Sequence, residues 1–141
     1  MQTARQAVAD RKPVWAVIQT AGYGWSDDMS LRKPADSRPP TPAEYRAMVY
    51  LALSAGADGL VYHAWGLPKR GEWPSYRLVR DAPELWDAIV QTNQELVWLA
   101  PMLLETDPQP LELEFDSPVR LASWEYEGVR YVVAVNTEDT T

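Results

Sequence analysis

The chain has no cysteine, one histidine and one phenylalanine in 141 residues. Without cysteine there is no disulfide framework. With a single histidine there is also no Cys/His zinc site, haem or iron–sulfur centre. No metal and no cofactor is expected. Bases are scarce as well: 13 Lys and Arg stand against 20 Asp and Glu, a net charge of −7, and no Lys/Arg run occurs. A generic polyanion binder is excluded on that ground, so no nucleic-acid partner is expected. No apolar run is long enough to cross a bilayer, and residues 1–12 hold no leader-like apolar segment. No membrane partner is expected, and the compartment stays open. Lack of cysteine is compatible with export from a bacterium. Walker A, GxSxG, HExxH and glycosylation patterns are all missing. Gly22-Tyr23-Gly24 begins like a dinucleotide fingerprint, but Asp27 stands where the third glycine is required.

Seven Trp and seven Tyr against one Phe form an aromatic set of rings with an apolar face and a polar tip. With 46% hydrophobic and 23% charged residues, the chain suits a globular protein, and its length suggests one domain.

Val14-Trp-Ala-Val-Ile18 is a short apolar run between Pro13 and Gln19-Thr20. It reads as a strand buried on both faces, as in parallel sheets. Residues 20–40 follow as a long polar loop. Thr41-Pro42-Ala43-Glu44 carries a capping box with proline at the first helical position, Tyr45, Met48, Val49 and Ala52 follow at helical spacing, and Gly56 supplies a stop. Gly59–Ala64 reads as a second buried strand, parallel to the first across a βαβ crossover. Residues 65–80 read as another long loop. Asp81-Ala-Pro-Glu84 repeats the capping pattern and opens a helix to about Glu105, which Pro101 should kink or restart. After the break at Asp107-Pro-Gln-Pro110, residues 111–115, 119–126 and 129–136 are β-rich, with a hairpin signal at Glu127-Gly128.

A parallel sheet needs more than two strands and cover on both faces. Long polar loops follow both strands, and short connections precede them. A barrel places its site on the face those loops form, and a full barrel takes about 250 residues. The fold class expected is therefore α/β: residues 1–106 as the last two β/α units of a (β/α)8 TIM barrel, and 111–141 as the start of a small all-β sandwich domain. An open doubly wound α/β sheet gives the same loop asymmetry. On the barrel reading the isolated chain exposes strand edges and apolar faces, and is expected to fold poorly or self-associate.

Four segments in order, Lys12-Pro-Val-Trp-Ala-Val-Ile-Gln19, Arg38-Pro-Pro-Thr-Pro-Ala-Glu44-Tyr-Arg46, Ala55-Gly-Ala-Asp-Gly-Leu-Val-Tyr62 and Pro83-Glu-Leu-Trp86, resemble the C-terminal end of glycoside-hydrolase-like (β/α)8 barrel proteins. The resemblance spans about residues 12–105. It implies a protein acting on an oligosaccharide or polysaccharide through paired carboxylates. It also implies that Val14–Ile18 is the seventh strand, whose end in the large retaining clan bears the nucleophile. Here that end is Gln19, and a neutral amide cannot be the nucleophile. The catalytic carboxylates then lie mostly outside this chain, which needs the N-terminal barrel portion as its partner. The alternatives are a non-catalytic carbohydrate-binding barrel and an unrelated doubly wound fragment.

The candidate substrate-binding residues are Gln19, Tyr23, Trp25, Tyr62, His63, Trp65 and Trp73. Gln19 and His63 sit at the ends of the two strands, and the rings offer flat apolar contact with a hydrogen-bonding edge. Tyr76 belongs to the same group of loop rings. Loop acids Asp27, Asp28, Asp36 and Glu72 are candidate acids or clamps. Trp86 and Trp98 are expected to pack the last helix.

Overall fold

In the computed structural model, residues 6–8, 12–22, 38–69, 72–112 and 117–138 are described, with backbone alone at 67–69 and 72–75. The chain is a mixed α/β protein whose described strands form sheets of two, two and three strands. Strand β1 (Trp15–Gln19) pairs with β2 (Gly59–His63), and helix α1 (Pro42–Ser54) lies between them in sequence. The Asp58 amide donates to the Val14 carbonyl before the strands, and the Thr20 amide to the His63 carbonyl after them. The two strands therefore run in the same direction, as the βαβ pattern requires.

Helix α1 starts where the capping box predicts. The Thr41 amide donates to Glu44 Oε2 at 2.6 Å, and the Glu44 amide to Thr41 Oγ1 at 3.2 Å. Two otherwise orphaned donors are satisfied reciprocally. Tyr45, Val49 and Ala52 are buried at helical spacing. At the far end the Ala57 amide reaches the Ala52 carbonyl, and the Gly56 amide reaches that of Leu53. Gly56 takes φ of 80°, the left-handed conformation of a Schellman stop.

Residues 65–80 are not the loop that the sequence suggests. Strands β3 (Gly66–Lys69) and β4 (Glu72–Arg77) make an antiparallel hairpin, with Leu67 opposite Tyr76 and an irregularity between Leu67 and Lys69. Pro68 and Pro74 hide it, because proline argues against a central strand and is tolerated at an edge. A single helical turn, α2 (Leu78–Asp81), follows directly.

Helix α3 (Pro83–Glu105) is not capped by Asp81, as the repeated pattern implies. The first bond of the helix runs from the Trp86 amide to the Ala82 carbonyl. The Asp81 carboxylate instead accepts from the Arg77 amide at 2.7 Å and from the Arg80 guanidinium, which holds it below the usual carboxylate range. Leu85, Ala88, Ile89 and Thr92 form the buried stripe in the first half of α3. Burying an aliphatic side chain such as Leu85 or Ile89 contributes roughly 1.5–3 kcal/mol. Pro101 does not end the helix. It leaves the Val97 carbonyl without its helical donor, on a side where Val97 and Trp98 are exposed to water.

Strands β5 (Gln109–Leu111), β6 (Val119–Tyr126) and β7 (Val129–Asn136) form an antiparallel sheet in that order. This is one three-stranded sheet, the coarse form of the expected all-β segment. Tyr126 faces Val129 across Glu127-Gly128, whose φ angles of 49° and 77° are those of a two-residue type I′ turn. Ala122 and Trp124 are buried with Met102, and Leu99, Leu103, Tyr126, Tyr131 and Val133 pack around them.

Two compact units divide the chain. One holds Met1–Ala16, Ala47–Leu60 and Gln94–Thr141, and the other Val17–Arg46 and Val61–Asn93.

Candidate functional site

The C-terminal ends of β1 and β2 lie together in the second unit. Thr20, fully buried, ties them: its amide donates to the His63 carbonyl at 2.6 Å, and its hydroxyl to the Ala64 carbonyl at 3.2 Å. The Thr20 carbonyl accepts the Tyr76 hydroxyl at 2.9 Å. The Leu78 amide donates to the Trp65 carbonyl at 2.9 Å. Hairpin and strand ends are thus fastened at one place, and the His63–Ala64 peptide within it is cis.

Around this knot the side chains sort by the strand pleat. Ile18 and Thr20 are buried, whereas Val17 is 67% exposed. On β2, Tyr62 is half-buried, and Val61, His63 and Trp65 are exposed, Trp65 at 56%. Within this chain the first strand is covered on one face only: Trp15 and Val17 are open to solvent while Ala16 and Ile18 are covered. Apolar strand residues identify a strand, but not whether a second layer covers each face.

Gln19 is half-buried, and its amide nitrogen donates to the Ala21 carbonyl at 2.7 Å. That bond turns the amide back on its own chain and leaves its oxygen as the acceptor available to a ligand. His63 and Trp65 share the exposed face. Tyr62 does not join them. Its ring meets Tyr45 edge to face, with centroids 5.9 Å apart, and its hydroxyl donates to Asn93 Oδ1 at 2.5 Å. Tyr23 and Trp25 lie outside the described residues, as do Asp27, Asp28 and Asp36. Trp73 and Glu72 fall on β4, where only the backbone is described.

Tyr76 is not an exposed loop ring. It is 1% exposed, and burial, with the Asp81 carboxylate second, pushes its hydroxyl above the usual tyrosine value. Its place one residue before the end of a hidden hairpin explains why its role was not visible in the sequence. Thr20 went unrecognised as the central residue because a threonine after an apolar run resembles a simple strand end.

Gln19, His63 and Trp65 offer an amide, an imidazole and an indole, and none is an acid. Such groups can accept and donate to vicinal hydroxyls and present a flat apolar ring. They cannot supply the carboxylate pair of glycoside hydrolysis. Among the described residues no cluster of His, Cys, Asp or Glu is placed to hold a metal ion, and no helix is long and apolar enough to cross a membrane. The chain matches no protein-family model, no curated protein and no solved structure.

Proposed function

We propose that the chain is part of a carbohydrate-active (β/α)8-type protein that hydrolyses O-glycosidic bonds, contributing the last two β/α units and part of a sugar-binding mouth. On this reading Gln19, His63 and Trp65 contact the sugar, and Tyr23, Trp25 and Trp73 complete the rim. The carboxylates come from strands outside this sequence. The observation that carries the reading is the asymmetry of β1 and β2. One side of the strands holds Ile18 and Thr20 buried, and the other leaves Val17, Val61, His63 and Trp65 open. In a closed barrel that open side is the packed interior and mouth.

A second reading, sugar binding without hydrolysis, is favoured by one specific contact. The amide of Gln19 is satisfied by Ala21 at the strand end where the resemblance expects a nucleophilic acid. Two measurements separate the readings. Electrophoresis of the chain through gels containing soluble polysaccharides should show retardation that Trp65→Ala reduces. No retardation across plant, bacterial and storage polysaccharides removes both readings. Hydrolysis of aryl glycosides by the polypeptide extended with its upstream coding sequence then decides between enzyme and binder.

A further inference from the structure

A different cavity lies between the end of α3 and the C-terminal sheet, within the first unit. It has a volume of about 150 Å³ and is lined by Trp98, Leu99, Pro101, Met102, Tyr126 and Tyr131. A cavity of this size class holds a guest of roughly six heavy atoms. Three of its six lining residues are Trp or Tyr. Trp98 and Tyr131 meet edge to face, centroids 6.4 Å apart and planes at 65°, so the pair covers one face of one ring only. Trp98 is 72% exposed, against the expectation that it packs the helix.

Among the described residues, two carboxylates act on the lining of this cavity. Helix α3 ends at Glu105 and carries no basic residue in its last turn. A helix C-terminus favours a cation, and the last turn of α3 itself supplies none. Glu105 and Glu127 both bear on the Tyr126 hydroxyl, which burial foremost, and then these two carboxylates, push above its usual value. Arg130 neighbours Tyr131 in sequence, but it points to the other side of the strand and is paired with Glu125.

We propose that this cavity binds a small trimethylammonium compound, with its cationic head against the faces of Trp98, Tyr126 and Tyr131. The lining selects that chemistry. Leu99, Pro101 and Met102 offer no strong side-chain hydrogen-bond acceptor, and the Tyr126 and Tyr131 hydroxyls are the side-chain acceptors a primary ammonium would meet in exchange for its strongly bound water. A quaternary ammonium donates no hydrogen bond and is drawn to aromatic faces. A neutral sugar would gain nothing from Glu105, Glu127 or the helix end. The proposal is independent of the sugar-binding mouth, which involves other residues in the other unit.

The test is calorimetric titration of the full chain with choline chloride, at chloride concentration matched with NaCl. The comparison ligand is 3,3-dimethyl-1-butanol, which has the same shape without the charge. Saturable choline binding is expected, with the neutral analogue on the order of tenfold weaker. Trp98→Ala should weaken choline by a similar factor, and Glu105→Gln by a few-fold. Both positions are exposed, so the fold should survive, and circular dichroism checks it. Equal binding of the two ligands to the wild-type chain, no saturation with choline, or displacement of choline by glucose would each overturn the proposal.

Discussion

The indole of Trp15 lies over the α-carbon of Gly59. A β-carbon built on Gly59 would come within 2.9 Å of Trp15 Cδ2 and Cε2, closer than real side-chain contacts allow. Glycine at 59 is therefore required by a ring and not by a turn. Gly59→Ala should displace the indole and cost about 1–3 kcal/mol, the usual range for overpacking. The check is a double-mutant cycle in urea: Gly59→Ala should cost little in a Trp15→Ala background. Equal cost in both backgrounds would show that the glycine serves some other purpose.

Acid should loosen the start of α1. Arg38 holds Glu44 through two contacts of 2.6 Å, and with the Thr41 amide it brings the Glu44 carboxyl down to about 2. An unfolded glutamate titrates near 4.3. The folded value is the lower one, so the stabilisation is fully present above about pH 5 and is lost as pH falls toward 2. The pair is more than a third exposed, and solvent screening limits its worth to about 1 kcal/mol. Stability measured between pH 6 and 2.5 should fall less steeply in Glu44→Gln than in the wild-type chain. Parallel curves would assign the acid sensitivity to other carboxylates.

The β6–β7 turn invites a stabilising change. Glu127 adopts φ of 49°, which a side chain with a β-carbon resists and asparagine tolerates best. Glu127→Asn should raise stability by roughly 0.5–1 kcal/mol. Gly128→Ala should lower it by about 1 kcal/mol although nothing lies within 4 Å of the added carbon, because its φ of 77° is the obstacle. Thermal melts of the two variants should move in opposite directions. Movement in the same direction would place the strain elsewhere in the hairpin.

What was legible in the sequence was local chemistry. Thr41, Pro42 and Glu44 announced a helix start, Gly56 its end and Glu127-Gly128 a turn, because capping and left-handed backbone depend on a few neighbouring residues. What was illegible depended on partners distant in sequence. Pro68 and Pro74 hid a hairpin that pairs Leu67 with Tyr76. The apolar run Val14–Ile18 gave a strand, yet could not say that Trp15 and Val17 stay bare. Apolar spacing placed Trp98 in a packed helix, whereas its surroundings at Tyr131 and Tyr126 are set by a register some 30 residues away. The site was legible in the same measure. Gln19, His63 and Trp65 stood at strand ends as expected, while Thr20 and Tyr76, which hold those ends together, emerged only in three dimensions.

The contact between Tyr76 and Thr20 should be the most sensitive point of the second unit. The Tyr76 hydroxyl is a donor inside the protein, and the Thr20 carbonyl it serves belongs to a fully buried residue. Tyr76→Phe removes the donor and leaves that carbonyl unsatisfied, at a cost of about 1–3 kcal/mol. Tyr62→Phe removes a hydroxyl that bonds Asn93 at the surface, and should cost a few tenths of that. Because burial raises the Tyr76 value, the unfolded chain releases this proton first, and stability should decline as pH rises past about 10. That alkaline decline should be smaller in Tyr76→Phe. If the two variants unfold at the same urea concentration, the knot at Thr20 does not hold the strand ends, and Gln19, His63 and Trp65 lose the support that positions them for a ligand.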